Sequence, residues 1–598
     1  MHKTIQKAAG LLVVGSLFLG ACQSQKVKEP RRLSEFTECV DPLKDSLPAW
    51  TQTWKGFQSS FVSIDQKFPK SLEPKLSTLQ TSQELIGWRG ERLSAQVLLW
   101  SEEDVAEIEF EWSDFKSKET TLPASIAEVR FVRYVMTDEF AGGCGYRKPE
   151  DFAASLAPDM LDNINCMDLE GQTVRPVWVS VHIPSDAPAA VYESQLTVKA
   201  KDQSSQKLNL KLEVQDANLL PPHEWDFHLD LWQHPSAVAR THQVEMWSDQ
   251  HFEELKPVMK MLADAGQKVI TATLNKDPWN NQCYDPYADM IVWTKHKDGS
   301  WSYDYKVFDR WVQLMMDLGI DKMINCYSVV PWNNELHYWD EETEQFIDFQ
   351  ANPGTDVFNE VWHHFFTDFK AHLKEKGWLE ITNVAMDERT PEEMALTIEM
   401  LQREAAELGI AYADNQKSYK KYPFVRDISI AADASYDLAD IESRRADGLV
   451  TTYYVCCSDL FPNTFTFSES AEAVYMGWYA YAGGFDGLLR WAYNSWVENP
   501  LTDSRFLSWP AGDTYIVYPQ ARSSIRFERL VEGIQDVSKV KQLKAKLQAE
   551  ASPAAEQGLK ELDALLQEFS TTSPQRDYVE MIHDAKALLN KLTQQIKK

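Results

Sequence analysis

The chain has 598 residues, of which 44% are hydrophobic and 25% are charged. This composition is typical of a globular protein that is long enough for several domains of about 100–200 residues each. With 90 acidic against 60 basic residues, the net charge of −30 argues against a nucleic-acid partner, because binding to phosphates requires a basic surface. The 21 tryptophans leave two interpretations open, since indole rings both fill cores and stack on the apolar faces of sugars.

The first 21 residues predict a signal peptide that lies outside the fold. Lys3 and Lys7 precede an apolar run at 11–20, which is shorter than the about 20 residues that span a bilayer. The run ends in Leu19-Gly20-Ala21-Cys22, which looks like a bacterial lipoprotein cleavage site with Cys22 as the lipidated residue, while ordinary secretion is the alternative. We therefore expect an exported protein that is lipid-anchored at the bacterial cell envelope, on the outer membrane or the periplasmic face.

Residues 22–220 predict a tether followed by an antiparallel β-sandwich. Apolar and polar residues alternate in several runs that polar turns separate, as in strands with one buried face. Leu220-Pro221-Pro222 ends this pattern and marks a domain boundary. We expect Trp88, Trp100, Trp112 and Trp178 in the core of this domain, and the clearest alternating runs are 94–100, 105–112, 177–183 and 195–200.

Residues 221–528 predict a (β/α)8 barrel of the TIM type, because short strand candidates alternate with helical patterns. A doubly wound open sheet is the alternative, but no glycine-rich phosphate loop follows the first strand. Two insertions, 290–305 and 337–350, alternate like hairpins, and 529–598 predicts a small helical appendage. The predicted strands are 225–232, 268–275, 322–330, 381–388, 428–433, 449–457, 487–494 and 514–518, and the helical patterns include 252–266, 308–319, 357–377 and 392–408.

The cysteines do not form a zinc motif or a dense disulfide framework. An odd number remains after Cys22, so in an oxidising compartment at least one thiol is unpaired or pairs outside the chain. Cys456 and Cys457 are adjacent, and either a vicinal disulfide or two buried thiols would fit them. The other five are Cys39, Cys144, Cys166, Cys283 and Cys326.

The clearest candidate for chemistry is Asp387-Glu388, at the end of the fourth predicted strand. Barrel enzymes place catalytic groups where strands end, although two carboxylates before a helix could also act as its cap. A glycosidase with two catalytic carboxylates needs them on opposite sides of the scissile bond, about 5–5.5 Å apart for retention. Neighbouring residues cannot easily straddle a sugar. If the chain bends, both can approach from one side, which suits substrate-assisted hydrolysis of a 2-acetamido sugar.

An ordered set of motifs accompanies this pair over most of the mature chain. The sandwich carries Gly87-Trp88-Arg89-Gly90-Glu91 and then Trp178 to Pro184 with Tyr192, and the barrel carries Asp387-Glu388, Tyr454-Val455-Cys456-Cys457, Gly477-Trp478, the run 487–496, Gly512-Asp513-Thr514, Tyr518-Pro519 and the runs 524–528 and 532–536. In these motifs the sequence resembles glycoside hydrolase family 123, whose members act on β-linked N-acetylgalactosamine. Ala189-Ala190 departs from the family, which has Gly in that turn.

The resemblance implies an exo-acting glycosidase that removes terminal β-linked N-acetylgalactosamine with retention, through an oxazolinium intermediate. Glu388 would protonate the glycosidic oxygen and then activate water. Asp387 would accept the acetamido N–H and stabilise the positive intermediate. A β-N-acetylglucosaminidase or another hexosaminidase is the first alternative. A non-catalytic, surface glycan-binding lipoprotein is the second, although a binder has no need of a proton donor beside an orienting carboxylate.

The expected partner is a glycan with a terminal β-N-acetylhexosamine. No metal or organic cofactor is expected, because the histidines show no ligand spacing. A tyrosine, Tyr454 in preference to Tyr453, would donate to the acetamido oxygen. Core packing is the alternative for the tryptophans, Trp491 above all. The further candidates for sugar contacts, all at predicted strand ends, are Trp491, Asn494, Trp496, Trp232, Asn325, Trp332 and Asn333.

Overall fold

The structure is a computed structural model, and it describes residues 30–52, 54–140, 144, 151–507 and 509–596. The predicted signal peptide and Cys22 therefore lie outside the described residues. Within them, the chain folds as predicted into a sheet-rich sandwich, a central parallel barrel with surrounding helices and a group of C-terminal helices.

The sandwich consists of two sheets. Its strands are β1 (Gln58–Val62), β2 (Ser82–Arg89), β3 (Arg92–Ser101), β4 (Val105–Trp112), β5 (Phe115–Lys116), β6 (Thr121–Leu122), β7 (Ala127–Asp138), β8 (Ala154–Leu161), β9 (Met167–Leu169), β10 (Thr173–His182), β11 (Ala190–Lys199) and β12 (Gln206–Asn218). One sheet has the order β1-β3-β10-β7-β8, and the other is built on β2-β12-β11-β4-β9. Neighbouring strands are antiparallel except β2 and β12, which are parallel. The four alternating runs fall in β3, β4, β10 and β11, and the four predicted core tryptophans are buried.

The barrel and its insertions contain the remaining strands. These are β13 (His228–Leu231), β14 (Val269–Thr273), β15 (Val292–Lys295), β16 (Trp301–Asp304), β17 (Met323–Tyr327), β18 (Glu335–Asp340), β19 (Gln345–Gln350), β20 (Thr382–Asp387), β21 (Gly409–Asp414), β22 (Asp427–Ala431), β23 (Val450–Tyr454) and β24 (Gly487–Arg490). Eight parallel strands form the barrel in the order β13-β24-β23-β22-β21-β20-β17-β14. The two end strands meet at an isolated bridge between Leu229 and Gln267, so the barrel is nearly closed. The two predicted hairpins join in one small sheet, β16-β15-β18-β19, which we call the inserted sheet.

One predicted barrel strand is wrong, and another was not predicted. Residues 514–518 are buried, but they form loop contacts, such as the bond from the Ile516 N–H to the Tyr493 carbonyl. The eighth strand is instead β21. A run of large apolar side chains is the signal that marks a buried strand, and the small residues Ala411 and Ala413 interrupt such a run in β21. The remaining seven predicted strands overlap observed ones.

Helices surround the barrel and form the C-terminal group. They are α1 (Pro235–His242), α2 (Asp249–Ala263), α3 (Lys306–Asp317), α4 (Asp356–Lys376), α5 (Pro391–Glu404), α6 (Ser418–Lys421), α7 (Leu438–Ala446), α8 (Ser470–Ala482), α9 (Ile525–Glu550), α10 (Pro553–Glu568) and α11 (Tyr578–Gln595). The four predicted helical patterns coincide with α2 to α5. Helix α9 begins inside the predicted barrel segment and packs along α8, so it ties the C-terminal helices to the barrel. In the described part of the chain, none of the helices has both the length and the apolar character needed to cross a bilayer.

Buried charges join the sandwich to the barrel. Asp159, in β8, accepts hydrogen bonds from the Tyr518 hydroxyl at 2.6 Å and from Arg526 Nε at 2.9 Å. Asp162, just after β8, pairs with Arg522 at 2.8 Å. Because a buried charge is costly unless it is paired, these contacts specify how the two domains meet and hold the loops after β24 in place.

Candidate active site

A pocket of about 280 Å³ opens at the carboxyl ends of the barrel strands, where barrel enzymes place their active sites. Asp387 and Glu388 line it, at the end of β20, which is the fourth barrel strand in chain order, as predicted. Small side chains such as Ala385 and Ala413 lie at this level of the barrel and leave room for a ligand above the core. The aromatic walls of the pocket are formed by Trp232, Trp279, Trp332, Tyr454, Trp491 and Trp509.

The chain bends at the end of β20, and this bend brings both carboxyl groups to the same pocket. Successive side chains of a strand point to opposite faces, so a straight strand would separate the two carboxylates. Glu388 instead has a φ of 33°, in the left-handed region that non-glycine residues rarely adopt, and both carboxyl groups line the same pocket. Its N–H donates to the Ala413 carbonyl at 3.3 Å, which helps to hold this backbone conformation.

Helix capping does not explain the carboxylate pair. Helix α5 has its own capping box, in which the Thr390 side chain accepts from the Glu393 N–H and the Glu393 carboxylate accepts from the Thr390 N–H. Pro391 occupies the first helical turn. The donors at the start of the helix are thus satisfied by residues 390–393, which leaves Asp387 and Glu388 available to the pocket.

Asp387 is held by two indole rings. Oδ2 accepts hydrogen bonds from Trp279 Nε1 and Trp332 Nε1, each at 3.1 Å. The guanidinium of Arg389 lies 5.0 Å from the Trp332 ring centroid, and its Nε donates to the Asp387 carbonyl. Burial and, to a smaller extent, the charge of Glu388 raise the pKa of Asp387 to about 7, while the indole donors act in the opposite direction. The side chain is fixed in direction and poised to change charge near neutral pH.

Glu388 is contacted by Tyr454, at the end of β23. The Tyr454 hydroxyl donates to Glu388 Oε1. Burial, and then the neighbouring Glu388 charge, raise the pKa of Tyr454 far above its usual range, so the hydroxyl stays protonated and acts as a donor. The pocket therefore holds one carboxylate anchored by indoles and a second one within reach of a phenol, on a surface that is otherwise largely aromatic.

Of the nine predicted sugar contacts, the structure brings four to this pocket, places four elsewhere in structural contacts and places Asn333 in a neighbouring cavity. Tyr454, Trp491, Trp232 and Trp332 line it, together with the carboxylate pair. The ring of Trp491 is oriented by a hydrogen bond from its Nε1 to Asp513 Oδ2 at 3.2 Å. Trp232 packs at 4.9 Å from the Trp279 ring, so its position is set by the aromatic cluster at the base of the pocket.

Tyr453, Asn494, Trp496 and Asn325 do not line the pocket, and each has a structural contact instead. Tyr453 alternates with Tyr454 along β23 and donates outward to the Met476 carbonyl of α8 at 2.9 Å. Asn494 is buried and bonds to the backbone of His234, while Trp496 is buried and donates to the Val517 carbonyl. Asn325 lies inside the barrel and donates to Asp427 Oδ2 at 2.9 Å. These four residues are therefore not part of the site that we propose.

Several lining residues were not predicted from the sequence. Trp279 and Trp509 both lie in loops, after β14 and after β24 respectively. A search for every tryptophan shortly beyond a predicted strand would have included Trp279. No such signal marks Trp509, whose ring lies 5.7 Å from that of Trp491. Gln282, Leu489 and three cysteines complete the lining.

The cysteine pairing differs from both sequence-based alternatives. Cys457 is bonded to Cys144, which lies between β7 and β8 of the sandwich, and not to its neighbour Cys456. Burial raises the pKa of the free Cys456 thiol to about 12. The three sulfurs lie within 4.8 Å of one another and are, among the described residues, the one group with metal-ligand spacing. With two of them joined in a disulfide, a single protonated thiol is left, and the trio as it stands does not provide a thiolate site.

The disulfide gives a direct test of this part of the structure. We expect a peptide map of the unreduced protein to contain Cys144 joined to Cys457. Because this bond closes a loop with a sequence separation of 313 residues, the double variant Cys144→Ser/Cys457→Ser should lose stability, by about 2–4 kcal/mol, measured as a lower Tm. Cys39→Ser, at a free cysteine, is the control and should keep the Tm of the parent. An unreduced map that joins Cys456 to Cys457 would contradict the assignment.

A parallel barrel that holds paired carboxylates in an aromatic pocket would suit an enzyme that acts on carbohydrates, although a barrel by itself does not define an activity. The comparison with known families identifies the class. A family model described as "Glycoside hydrolase 123, catalytic domain" matches residues 232–543, and "Glycoside hydrolase 123 N-terminal domain" matches residues 61–200. The chain belongs to glycoside hydrolase family 123 and is a glycosidase.

One solved structure agrees with this assignment. A family 123 glycoside hydrolase from Clostridium perfringens, reported for the details of glycolipid glycan hydrolysis, is 26% identical with a TM-score of 0.79, and the match covers 91% of this chain and 98% of that one. A family 5 xyloglucanase from Bacteroides ovatus is 10% identical with a TM-score of 0.29 over 76% of this chain and 98% of its own, which is too distant to support an argument. No curated protein sequence matches this chain.

Proposed function

We propose that the protein removes terminal β-linked N-acetylgalactosamine from glycans by retaining, substrate-assisted catalysis. The observation that carries this proposal is the turn of Glu388 at φ 33°, which brings two adjacent carboxylates into one pocket. The Clostridium perfringens relative is reported for the hydrolysis of glycolipid glycans, which supports a glycan as the substrate. In the proposed complex, the terminal sugar ring of the substrate lies among the tryptophans of the pocket.

Asp387 orients the acetamido group in the proposed reaction. Its Oδ2 is held by Trp279 and Trp332, so the carboxylate is already directed when the substrate arrives. It accepts the acetamido N–H, which pushes the amide carbonyl oxygen toward C1. When that oxygen attacks and the oxazolinium forms, the negative charge of Asp387 stabilises the positive ring. The substrate's own oxygen thus replaces a carboxylate nucleophile.

Glu388 acts first as the general acid and then as the general base of the proposed reaction. It gives its proton to the glycosidic oxygen as the bond to C1 breaks, and the aglycone leaves with its oxygen protonated. Glu388 then takes a proton from the water that attacks C1, the acetamido group is released and the β configuration is restored. Tyr454, whose hydroxyl donates to Glu388, is the candidate donor to the acetamido oxygen once a substrate is bound.

The geometry argues against a nucleophilic carboxylate. A retaining glycosidase with an enzyme nucleophile needs carboxylates on opposite sides of C1, about 5–5.5 Å apart. Asp387 and Glu388 are neighbours in the chain and enter the pocket from the same strand end. One-sided entry matches a mechanism in which the attacking atom belongs to the substrate.

Hydrolysis of paired aryl glycosides tests the proposal. We expect turnover of the β-N-acetylgalactosaminide, and a thiazoline analogue of the intermediate should inhibit it competitively. Preference for the β-N-acetylglucosaminide would assign the enzyme to another hexosaminidase specificity. Turnover without inhibition by the thiazoline would contradict the substrate-assisted mechanism. Binding of either sugar without turnover would indicate a glycan-binding protein.

The pH dependence follows from the raised pKa of Asp387. The reaction needs one proton on the carboxyl pair, on Glu388, with Asp387 ionised. Burial and the Glu388 charge hold the pKa of Asp387 at about 7. The two carboxyl groups together therefore keep one proton below that pH and lose it near pH 7. Below that pH the pair retains a proton, and above it the doubly ionised form accumulates. We therefore expect kcat/KM for an alkyl glycoside to fall as the pH rises through about 7.

A matched substrate provides the control for this pH profile. Dinitrophenol is a good leaving group without protonation, so the dinitrophenyl glycoside should lose most of the decline on the basic side. A decline of equal size for both substrates would show that the titration of another group limits activity.

We also propose that the protein is exported and anchored through a lipid on Cys22. The disulfide between Cys144 and Cys457 supports an oxidising compartment, since such bonds persist outside the cytosol. Export with the anchor should place the wild-type protein in the membrane fraction, labelled by a radioactive fatty acid. Cys22→Ser should lose the label and leave the membrane, and a wild-type protein without label would indicate ordinary secretion.

A further inference from the structure

A second cavity, of about 410 Å³, lies beside the catalytic pocket, and we call it the outer cavity. It is formed by the loop after β14 and by the start of the hairpin β18–β19 of the inserted sheet. Its volume falls within the range of about 300–1,000 Å³ that is typical of small-molecule sites. The lining residues used below are Lys276, Asn280, Asn281, Asp289, Asn333 and His337.

The outer cavity shares its wall with the catalytic pocket. Trp279 and Trp332 line the pocket and donate to Asp387, while the next residue in each loop, Asn280 and Asn333, lines the outer cavity. The two loops are joined by the bond from the Trp332 N–H to the Pro278 carbonyl at 2.9 Å. The same two short segments therefore orient the catalytic carboxylate on one side and shape the outer cavity on the other.

Amide groups dominate the chemistry of this wall. Asn280 and Asn281 both have positive φ, 48° and 63°, in a turn that leaves both residues exposed. Asn333 Nδ2 approaches Asn280 Oδ1 at 3.4 Å. Within the part of the chain that the structure describes, the side-chain amide of Asn281 has no hydrogen-bond partner. Amides of this kind can both donate to and accept from sugar hydroxyls.

The lysine of the outer cavity is already paired with carboxylates, and acidic residues outnumber it. Lys276 bonds to Glu335 and lies 2.9 Å from Asp348, and His337 Nε2 lies 2.7 Å from Asp289 Oδ2. No further Lys or Arg lines the cavity among the described residues. Lys276, the cation that could pair with an anionic ligand, is already bound by two carboxylates. The cavity therefore favours a neutral ligand.

An exposed ring packs on His337, one of the residues that line the outer cavity. Phe346, in β19, is 49% exposed, and its ring stacks on that of His337 at 4.9 Å. Trp339, the cross-strand partner of Phe346, lies on the same face of the hairpin, with its ring 5.4 Å from that of Phe346. A large exposed aromatic and an amide without a partner, on one cavity, can bind the apolar face and the hydroxyls of a sugar.

We propose that the outer cavity is a binding site for the leaving-group side of the glycan, selective for neutral sugars over sulfated or sialylated ones. This inference rests on the proposed function, since it names the part of the substrate that follows the terminal N-acetylgalactosamine. Asn281 and Phe346 are the specificity-determining residues of this site. They bind the sugars that depart and do not touch the bond that breaks.

Kinetics with long and short substrates test the site. We expect Asn281→Ala to lower kcat/KM for neutral trisaccharides that end in β-N-acetylgalactosamine by about tenfold, the scale of a lost hydrogen bond to a ligand, through KM. The aryl glycoside does not reach the outer cavity, so its kcat/KM should change by less than twofold. Asn209→Ala, at an exposed strand position of the sandwich, is the matched control and should behave like the parent.

A binding measurement keeps this test separate from the proposed function. Calorimetry with the neutral disaccharide that lacks the terminal sugar should give a Kd that rises in Asn281→Ala and in Phe346→Ala, while the sulfated disaccharide should bind more weakly to the wild type. Equal losses for trisaccharide and aryl glycoside in Asn281→Ala, or no change for either, would overturn the outer cavity as a sugar site. Absence of aryl hydrolysis by the wild type would instead overturn the proposed function and leave the calorimetric result to decide on the cavity.

Discussion

Glu388→Gln should abolish nearly all hydrolysis of substrates with poor leaving groups, with a loss in kcat of about 10²–10⁴-fold. The amide has nearly the shape of the carboxyl group and can still accept from Tyr454, but it has no proton to give to the glycosidic oxygen. For a dinitrophenyl glycoside, which leaves without protonation, the first step should be nearly normal. Water would then attack without a base, so release of the sugar should become the slow step and a burst of phenol should precede it.

Glu392→Gln is the control for this experiment. Glu392 is an exposed residue in the first turn of α5, four positions along the chain, and the same chemical change there should leave kcat unaltered. Unimpaired turnover of an alkyl glycoside by Glu388→Gln would assign the proton transfer to another group.

Asp387→Asn should lower kcat by about 10²–10³-fold for activated and unactivated substrates alike. The asparagine oxygen can still accept from Trp279 and Trp332, but it carries no negative charge to stabilise the oxazolinium. Since the oxazolinium forms whatever the leaving group is, better leaving groups should not rescue this variant. This insensitivity to the leaving group separates the role of Asp387 from that of Glu388.

Two further readouts accompany the Asp387 variant. The thiazoline analogue, which resembles the charged intermediate, should bind at least tenfold more weakly to Asp387→Asn, because charge-assisted hydrogen bonds are about twice as strong as neutral ones. Asp356→Asn, at the exposed start of α4, is the matched control for the loss of one carboxylate. Tight thiazoline binding by Asp387→Asn would contradict the orienting role.

Local patterns were sufficient for most of the fold. Period-two alternation predicts β4 with the same bounds as in the structure, and helices α2 to α5 follow their apolar spacing closely. The pattern failed at β21, where alanines are needed beneath the pocket and the apolar signal is weak. It failed again at 514–518, where buried apolar residues pack in a loop. In both places the size of the side chains reflects the tertiary packing around them and not whether the segment forms a strand.

The sequence also predicts only part of the candidate site. Position at a strand end predicts Asp387, Glu388, Tyr454 and Trp491, because the barrel topology alone brings strand ends together. The same rule wrongly included Tyr453, whose side chain points to the opposite face of β23. Asn494 and Trp496 come after β24, where their polar groups satisfy backbone atoms of the surrounding loops. Sequence position identifies the rim of a barrel, but the direction of each side chain depends on register and loop geometry.

Periodicity and an ordered set of local motifs are sufficient to predict the architecture, the carboxylate pair and the family to which this chain belongs. Which side chains come into contact depends on how the domains and loops pack. The positive φ of Glu388, the two indoles on Asp387, the bond between Cys144 and Cys457 and the outer cavity all join segments that are distant in the chain or depend on one backbone angle. Local sequence carries no direct signal for such contacts, since their free energy arises only when the barrel closes and the sandwich packs against it.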